Sequence, residues 1–348
     1  MNEAEQAQQI AQNGTRGTVE YRQDARSRSL HFIGQEYASR APGIAEQGAL
    51  SRRPVSAGAE EYLGVALPVL GDGFVRLVDY SGNDLTVVER ARVSYGAGTR
   101  IVRRDEALIE YLMLHDHASP FGFPTLCFQI KLPIFVARQF YTHRASSRVE
   151  VSRRYSEYDP DEGCYVAQAA DLCAQDTKNR QGRGEPLGSD AATTAVELLE
   201  AAYAASADSY ATLLNGTGVA REIARQVLPV AAWTTIYWQQ DLRNLLHFLH
   251  LRLDAHAQLE TRRYAEVMAR VVAAAYPAVW NAWYEHVHMA TTLSQTASEG
   301  IARLLYAATQ GETTAWDVDG LLAALEPRQA AQVRSLLDRG RELAGVTE

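Results

Sequence analysis

One segment limits the choice of fold more than any other. Residues 241–258 read Asp-Leu-Arg-Asn-Leu-Leu-His-Phe-Leu-His-Leu-Arg-Leu-Asp-Ala-His-Ala-Gln. Wound as one helix at about 100° per residue, it puts Asp241, Leu245, Leu249, Arg252 and His256 on one side. Arg243, His247, His250 and Asp254 fall on the opposite side. Leucines at this density belong in a core, yet arginine and histidine stand among them. A buried guanidinium needs a partner. A structural carboxylate is the commoner partner, and a bound anion is the alternative.

A second polar block precedes it. Arg138-Gln-Phe-Tyr-Thr-His-Arg144 is followed by Ser146, Ser147, Arg148, Glu150, Ser152, Arg153 and Arg154. Arginine forks and hydroxyls at this density can receive a phosphate. An arginine-rich solvated loop has the same composition. Glu150, a carboxylate among arginines, can orient them or bind a sugar hydroxyl.

The elements around these blocks follow from periodicity. Residues 1–54 show little apolar pattern and read as a loose tail, with order beginning near Tyr62. Phe74–Tyr80 and Thr125–Leu132 alternate as strands. Ser81–Asp84 is a turn leading to a short helix from Asp84 with an Asp or Asn cap. Helices are expected over 104–115, 133–140, 191–214, 218–228, about 240–259 and about 260–275. Residues 175–189 read as a surface loop. Residues 291–348 read as an appended helical tail, with leucine spacing at Leu304, Leu305, Leu321, Leu322 and Leu325.

Several classes drop out. The chain has 348 residues and is 47% apolar, enough for one large domain or two ordinary ones. Three cysteines are too few and scattered for a disulfide framework, which points to a reducing, cytoplasmic setting. The chain holds no apolar run of the roughly 18 residues a membrane span needs. Its first residues have no signal-peptide pattern. A net charge of −8 speaks against binding a nucleic-acid polymer. Only Lys131 and Lys178 are lysines among the 34 basic residues, so any single arginine is weak evidence. GxGxxG, GxxxxGK, HExxH, CxxC and GxSxG are all missing. The pairs His115/His117 and His286/His288 bring no obvious third ligand, so no metal site is expected. Ser152 lacks a triad signature and reads as an ordinary hydroxyl donor.

His143-Arg144, seven residues, then Ser152 resembles the RHR-x7-S signature of the flavin-dependent thymidylate synthases. The surroundings are similar and collinear over about 62–288: Ala91-Arg-Val-Ser-Tyr, Ser119-Pro-Phe, Pro133-Ile-Phe-Val-Ala-Arg-Gln, Gly218-Val-Ala-Arg-Glu-Ile-Ala-Arg-Gln-Val-Leu-Pro and Leu249-His-Leu-Arg-Leu-Asp-Ala-His-Ala-Gln. The resemblance implies an α+β fold over residues 55–290, with helices around a small, mostly antiparallel sheet. It implies a homotetramer with shared active sites. It implies methylation of dUMP at C5, with methylenetetrahydrofolate as carbon donor, FAD as redox carrier and NADPH as reductant.

Carried over position by position, Arg252 looks like the catalytic arginine that contacts the uracil and favours ionisation at N3. Gln139, Phe140, Tyr141, Glu150, Val151, Ser152, Arg153, Arg154 and Arg225 look like the dUMP side. Arg154 and Arg225 are the natural phosphate partners there. Ser94, His117, Ser119, Thr142, His143, Arg144, Glu150, Asp241, Leu242, Arg243, His247 and His256 look like the FAD side.

Three positions depart from the family pattern. The signature's first Arg is Thr142, an Asn before Glu150 is Val149, and a Glu after Pro-Phe is Gly122. A charged contact worth ~1.5–3 kcal/mol is lost at Thr142. These departures keep two alternatives in view: methylation of another pyrimidine nucleotide such as UMP, and a non-catalytic nucleotide-binding paralogue.

Overall fold

A computed structural model describes residues 54–94, 105–179, 182–299, 301, 318–323 and 327–343. The expected tail over 1–54 lies outside these residues except for Pro54. The chain divides into two compact units, residues 1–288 and 289–348.

In the first unit the chain runs α1 (Ala57–Tyr62), β1 (Ala66–Val69), β2 (Gly73–Ser81), α2 (Asp84–Ala91), α3 (Asp105–Leu114), β3 (Thr125–Pro133), α4 (Ile134–Tyr141) and β4 (Ser147–Glu150). It continues through β5 (Cys173–Gln175), β6 (Arg183–Pro186), α5 (Ser189–Ala211), α6 (Arg221–Ala224), β7 (Trp233–Asp241), α7 (Leu242–Arg252), α8 (Leu259–Ala275) and α9 (Pro277–Trp283). Five strands form one antiparallel sheet in the order β1-β2-β3-β7-β4. β5 and β6 form a separate hairpin. The fold is therefore α+β, an antiparallel sheet surrounded by helices.

The expected strands and the helix starts are present. Asn83 caps α2, accepting from the Thr86 N–H, while Thr86 Oγ1 accepts from the Asn83 N–H. The differences cluster where tertiary contacts override local pattern. β7 is a central strand that periodicity does not announce, because its buried face mixes polar Thr234 and Gln240 with Ile236 and Trp238, while apolar-looking Tyr237 is 46% exposed on the other face. β4 is a four-residue edge strand, exposed along its whole length and held by pairing to β7. The expected loop at 175–189 has its ends drawn into the β5–β6 hairpin. The helix expected over 218–228 is one turn, Arg221–Ala224, followed by a 3-10 turn, Arg225–Val227.

The helix expected over 240–259 is the most consequential correction. It starts at Leu242 and stops at Arg252. Asp254 Oδ1 accepts from the His256 backbone N–H at 2.7 Å, and its carbonyl accepts from Ala257 at 3.0 Å. That side-chain turn competes with helical hydrogen bonding and ends α7. His256 consequently leaves the face it would share with Asp241 and Arg252.

The core joins α4, β7, α7 and α8 through aromatic rings. Phe140 lies 5.2 Å from Trp238, 4.8 Å from Phe248 and 6.3 Å from Tyr264, centroid to centroid. All four are buried, and contacts of this geometry add to area burial. Leu242, Leu245, Leu246 and Leu249 seal the same side of α7. The helix is thus locked in rotation, and its polar residues inherit fixed positions.

In the second unit, helices Val318–Ala323 and Pro327–Leu343 frame a small cluster of Ala297, Leu322 and Val333. Leu304, Leu305 and Leu325 of the expected leucine spacing lie outside the described residues. Among the described residues no helix is long and apolar enough to cross a membrane.

Candidate active site

The end of α4 and the end of α7 meet. Arg252, the last residue of α7, donates from Nε to His143 Nε2 at 3.2 Å and from Nη2 to Thr142 Oγ1 at 3.3 Å. Thr142 Oγ1 in turn donates to the Gln139 carbonyl at 2.7 Å. Burial, then the Arg252 charge, then His247, lower the His143 imidazole to about 4. His143 is therefore neutral near pH 7, and because Nε2 accepts, its proton sits on Nδ1. Among the described residues Arg252 has no carboxylate partner. Two neutral groups hold its charge in place.

Glu150 ends the edge strand β4. Tyr141 donates to its Oε2 at 2.7 Å and Thr234 to its Oε1 at 2.8 Å. Burial and the Glu150 carboxylate push the Tyr141 phenol upward, so it stays a donor. Arg148 lies 4.9 Å above the Tyr141 ring and donates to the Tyr141 carbonyl at 3.1 Å. Both Glu150 oxygens are thus fixed by the protein, one of them from the central strand β7.

The remaining residues of the dUMP side separate into tied and free groups. Arg153 is tied: it donates to the carbonyls of Glu157 and Trp233 at 2.7 and 3.1 Å and pairs with Glu162 at 3.3 Å. Arg154 pairs with Glu222 at 3.2 Å across an open cavity of about 310 Å³ lined also by Tyr155, Ala220 and Arg221. Arg225 lies three residues beyond Glu222 and is exposed, with no carboxylate partner among the described residues. The Ser152 hydroxyl accepts from the Arg154 N–H at 3.3 Å. Val151 is part-exposed at the end of β4, and Phe140 belongs to the core.

A larger cavity, about 500 Å³, opens on the other side of α7. Arg243, His247 and His250 line it from α7, and Leu112, Phe121 and Trp283 supply apolar walls. Arg243 and His247 are exposed. Asp116 reaches the same cavity from a left-handed backbone position, φ 53°. The His117 and Asp116 N–H groups close the end of α3 onto Leu112 and Met113. Ser119 opens the next 3-10 turn, Ser119–Gly122. The His117 ring packs 5.8 Å from Tyr111.

Other expected cofactor residues have structural duties. Asp241 caps α7, accepting from the Asn244 N–H at 2.9 Å. Leu242 is wholly buried and its N–H is spent on the Pro124 carbonyl. Arg144 is exposed without a carboxylate partner among the described residues. His256 is 82% exposed and bonded to Asp254. Ser94 closes a 3-10 turn, Arg92–Ser94, and its side chain lies outside the described residues. Among the described residues no three His, Cys, Asp or Glu side chains gather to hold a metal. Thr234, Asp116, Gln258 and Glu260 contribute polar contacts that the sequence reading does not reach. Thr234 has no local signal because its strand has none.

The family described as Thymidylate synthase complementing protein matches residues 76–278. A flavin-dependent thymidylate synthase of Ruegeria pomeroyi is 43% identical over 276 residues, covering 78% of this chain and 89% of that one. The chain belongs to the flavin-dependent thymidylate synthase family. A Thermus thermophilus member is 45% identical over 242 residues, covering 69% of this chain and 86% of its own. The solved UMP/dUMP methylase PolB from Streptomyces cacaoi, bound with 5-Br UMP, has a TM-score of 0.57 at 34% identity. That match covers 63% of this chain and 96% of PolB. The matched range 76–278 contains Thr142, His143 and Arg252, the residues that the fold brings together.

Proposed function

We infer that the protein converts dUMP to dTMP by reductive C5-methylation, with methylenetetrahydrofolate as carbon donor, FAD as redox carrier and NADPH as reductant. The observation that carries this reading is Arg252, a fixed guanidinium with no carboxylate partner among the described residues. A uracil ring gaining negative charge would find it compensated there, and such preorganised charge is worth most where water is excluded. His143 and Thr142 hold the guanidinium without cancelling it. Glu150, held by Tyr141 and Thr234, stands as an acceptor for a sugar hydroxyl. Arg225 and Arg154 stand as the phosphate side, with Arg154 exchanging Glu222 for the ligand.

The larger cavity suits a flavin by its chemistry. Its size is typical of a cofactor site, and apolar walls beside the Arg243 guanidinium match a heteroaromatic ring carrying phosphates. Bound there, the flavin would supply the reducing equivalents of the methylation. Arg243 and His247 would hold it, and Leu112, Phe121 and Trp283 would keep water from it. Arg243→Ala should weaken FAD binding about tenfold or more, read by flavin absorbance after gel filtration.

The reading carries with it a homotetramer, a cytoplasmic location and a catalytic body over residues 55–290. Light scattering tests the first, and a clean monomer would count against a shared site. The test of function is dTMP formation from dUMP, methylenetetrahydrofolate, NADPH and FAD. Product that disappears when FAD or NADPH is omitted is the expected result. A second reading, turnover of UMP, is favoured by the likeness to PolB. Parallel assays of UMP and dUMP decide between them.

A further inference from the structure

One buried carboxylate has no part in the Arg252 cluster. Glu260 lies in the first turn of α8 and is only 3% exposed. Its Oε1 accepts from Arg183 of the β5–β6 hairpin at 2.7 Å and from the Tyr165 hydroxyl at 3.4 Å. Its Oε2 accepts from Gln258 Nε2 at 2.9 Å. Gln258 Oε1 then accepts from Gln139 Nε2. Gln139 lies one turn before Thr142 on α4, and Thr142 touches Arg252.

We propose that Glu260 is a positioning residue that fixes the amide polarity of Gln139 through Gln258, and so sets the atoms Gln139 offers to the nucleotide. The argument is one of donors and acceptors. A carboxylate paired with a guanidinium only accepts. Gln258 must therefore turn its NH2 toward Glu260 and its oxygen toward Gln139. Gln139 must then spend an N–H on Gln258. What it has left is its oxygen, as an acceptor, and one N–H, as a donor. With the opposite polarity it would turn its oxygen to Gln258 and present its NH2, two donors, instead. Arg183 anchors the chain from the hairpin, so a segment outside the helices and the main sheet contributes to recognition. The proposal rests on the reading of Gln139 as a nucleotide contact.

The test is dUMP affinity of the flavin-loaded full-length protein, measured by titration calorimetry. Gln139→Ala should weaken binding about three- to tenfold, the size of one lost hydrogen bond. Glu260→Gln, which lets the chain of amides reverse, should weaken it by a similar factor. In the Gln139→Ala background Glu260→Gln should add less than about twofold, because both act through one amide. A merely structural Glu260 would instead give effects that multiply in full, and that result overturns the proposal. Should Glu260→Gln fail to fold, Gln258→Met makes the same cut at an exposed residue. Wild-type affinity in Gln258→Met also overturns it. If Gln139→Ala itself binds dUMP normally, the nucleotide reading of Gln139 falls, and the proposal with it. That failure differs from one in which Gln139→Ala is weak and Glu260→Gln is not.

Discussion

Helix α7 and the 142–154 segment bring comparable polar side chains to one site by different means. On α7 the apolar residues do the placing. Leu242, Leu245, Leu246, Phe248 and Leu249 fix the helix in the core. Arg243 and His247 are then delivered to one cavity and Arg252 to another cluster. The 142–154 segment buries almost nothing. It is held by pairing of β4 to β7 and by single bonds from distant residues, such as Thr234 to Glu150 and Arg153 to the Trp233 carbonyl. Burial gives α7 rigidity without conscripting its charges. Hydrogen bonding gives the segment its shape by consuming many of its polar groups.

The largest expected effect breaks both regions at once. Phe140→Ala should cost ~3–5 kcal/mol in chemical denaturation, since the ring joins α4 to α7 and α8. The next separates charge from packing. Arg252→Ala should lower dTMP formation about 10²–10³-fold while the unfolding midpoint moves little. Loss of the fold instead would mean that Arg252 serves structure. Smaller still, Thr142→Val removes one acceptor from Arg252, and turnover should fall about two- to tenfold in steady-state assays.

The smallest effect is electrostatic. The His143 value near 4 lies below the ordinary 6.5. The unfolded chain takes up this proton as pH falls through 6.5, while the folded protein resists until about 4. Stability from this group is complete above 6.5 and is lost as pH falls through the folded value. Arg252→Ala removes one cause of the depression, so His143 should titrate at higher pH in histidine-selective NMR. An unmoved titration would break the link between the two residues.

The same contrast explains what the sequence reveals. The leucine spacing of α7 is a local signal, and it places Arg243, His247 and Arg252 correctly on opposite sides of one helix. The end of the helix is not in that spacing; it depends on the Asp254 turn, which takes His256 off the helical face. The arginine-rich composition of 142–154 marks the segment as polar. It does not say that Arg153 is tied to Trp233 and Glu162 while Arg144 has no carboxylate partner among the described residues. Those outcomes depend on β7, whose buried face carries polar Thr234 and Gln240 and so hides its period. Thr142 shows a further limit: losing the signature arginine reads as a missing contact, while in the fold the hydroxyl becomes an acceptor for Arg252.

The central claim is that Arg252, with no carboxylate partner among the described residues, is held ready for the nucleotide base. A crystal structure of the complex with dUMP tests it most directly. The account predicts the uracil within about 3 Å of the Arg252 guanidinium, with Arg252 still bonded to His143. A nucleotide seated elsewhere, with Arg252 touching only His143 and Thr142, would contradict it.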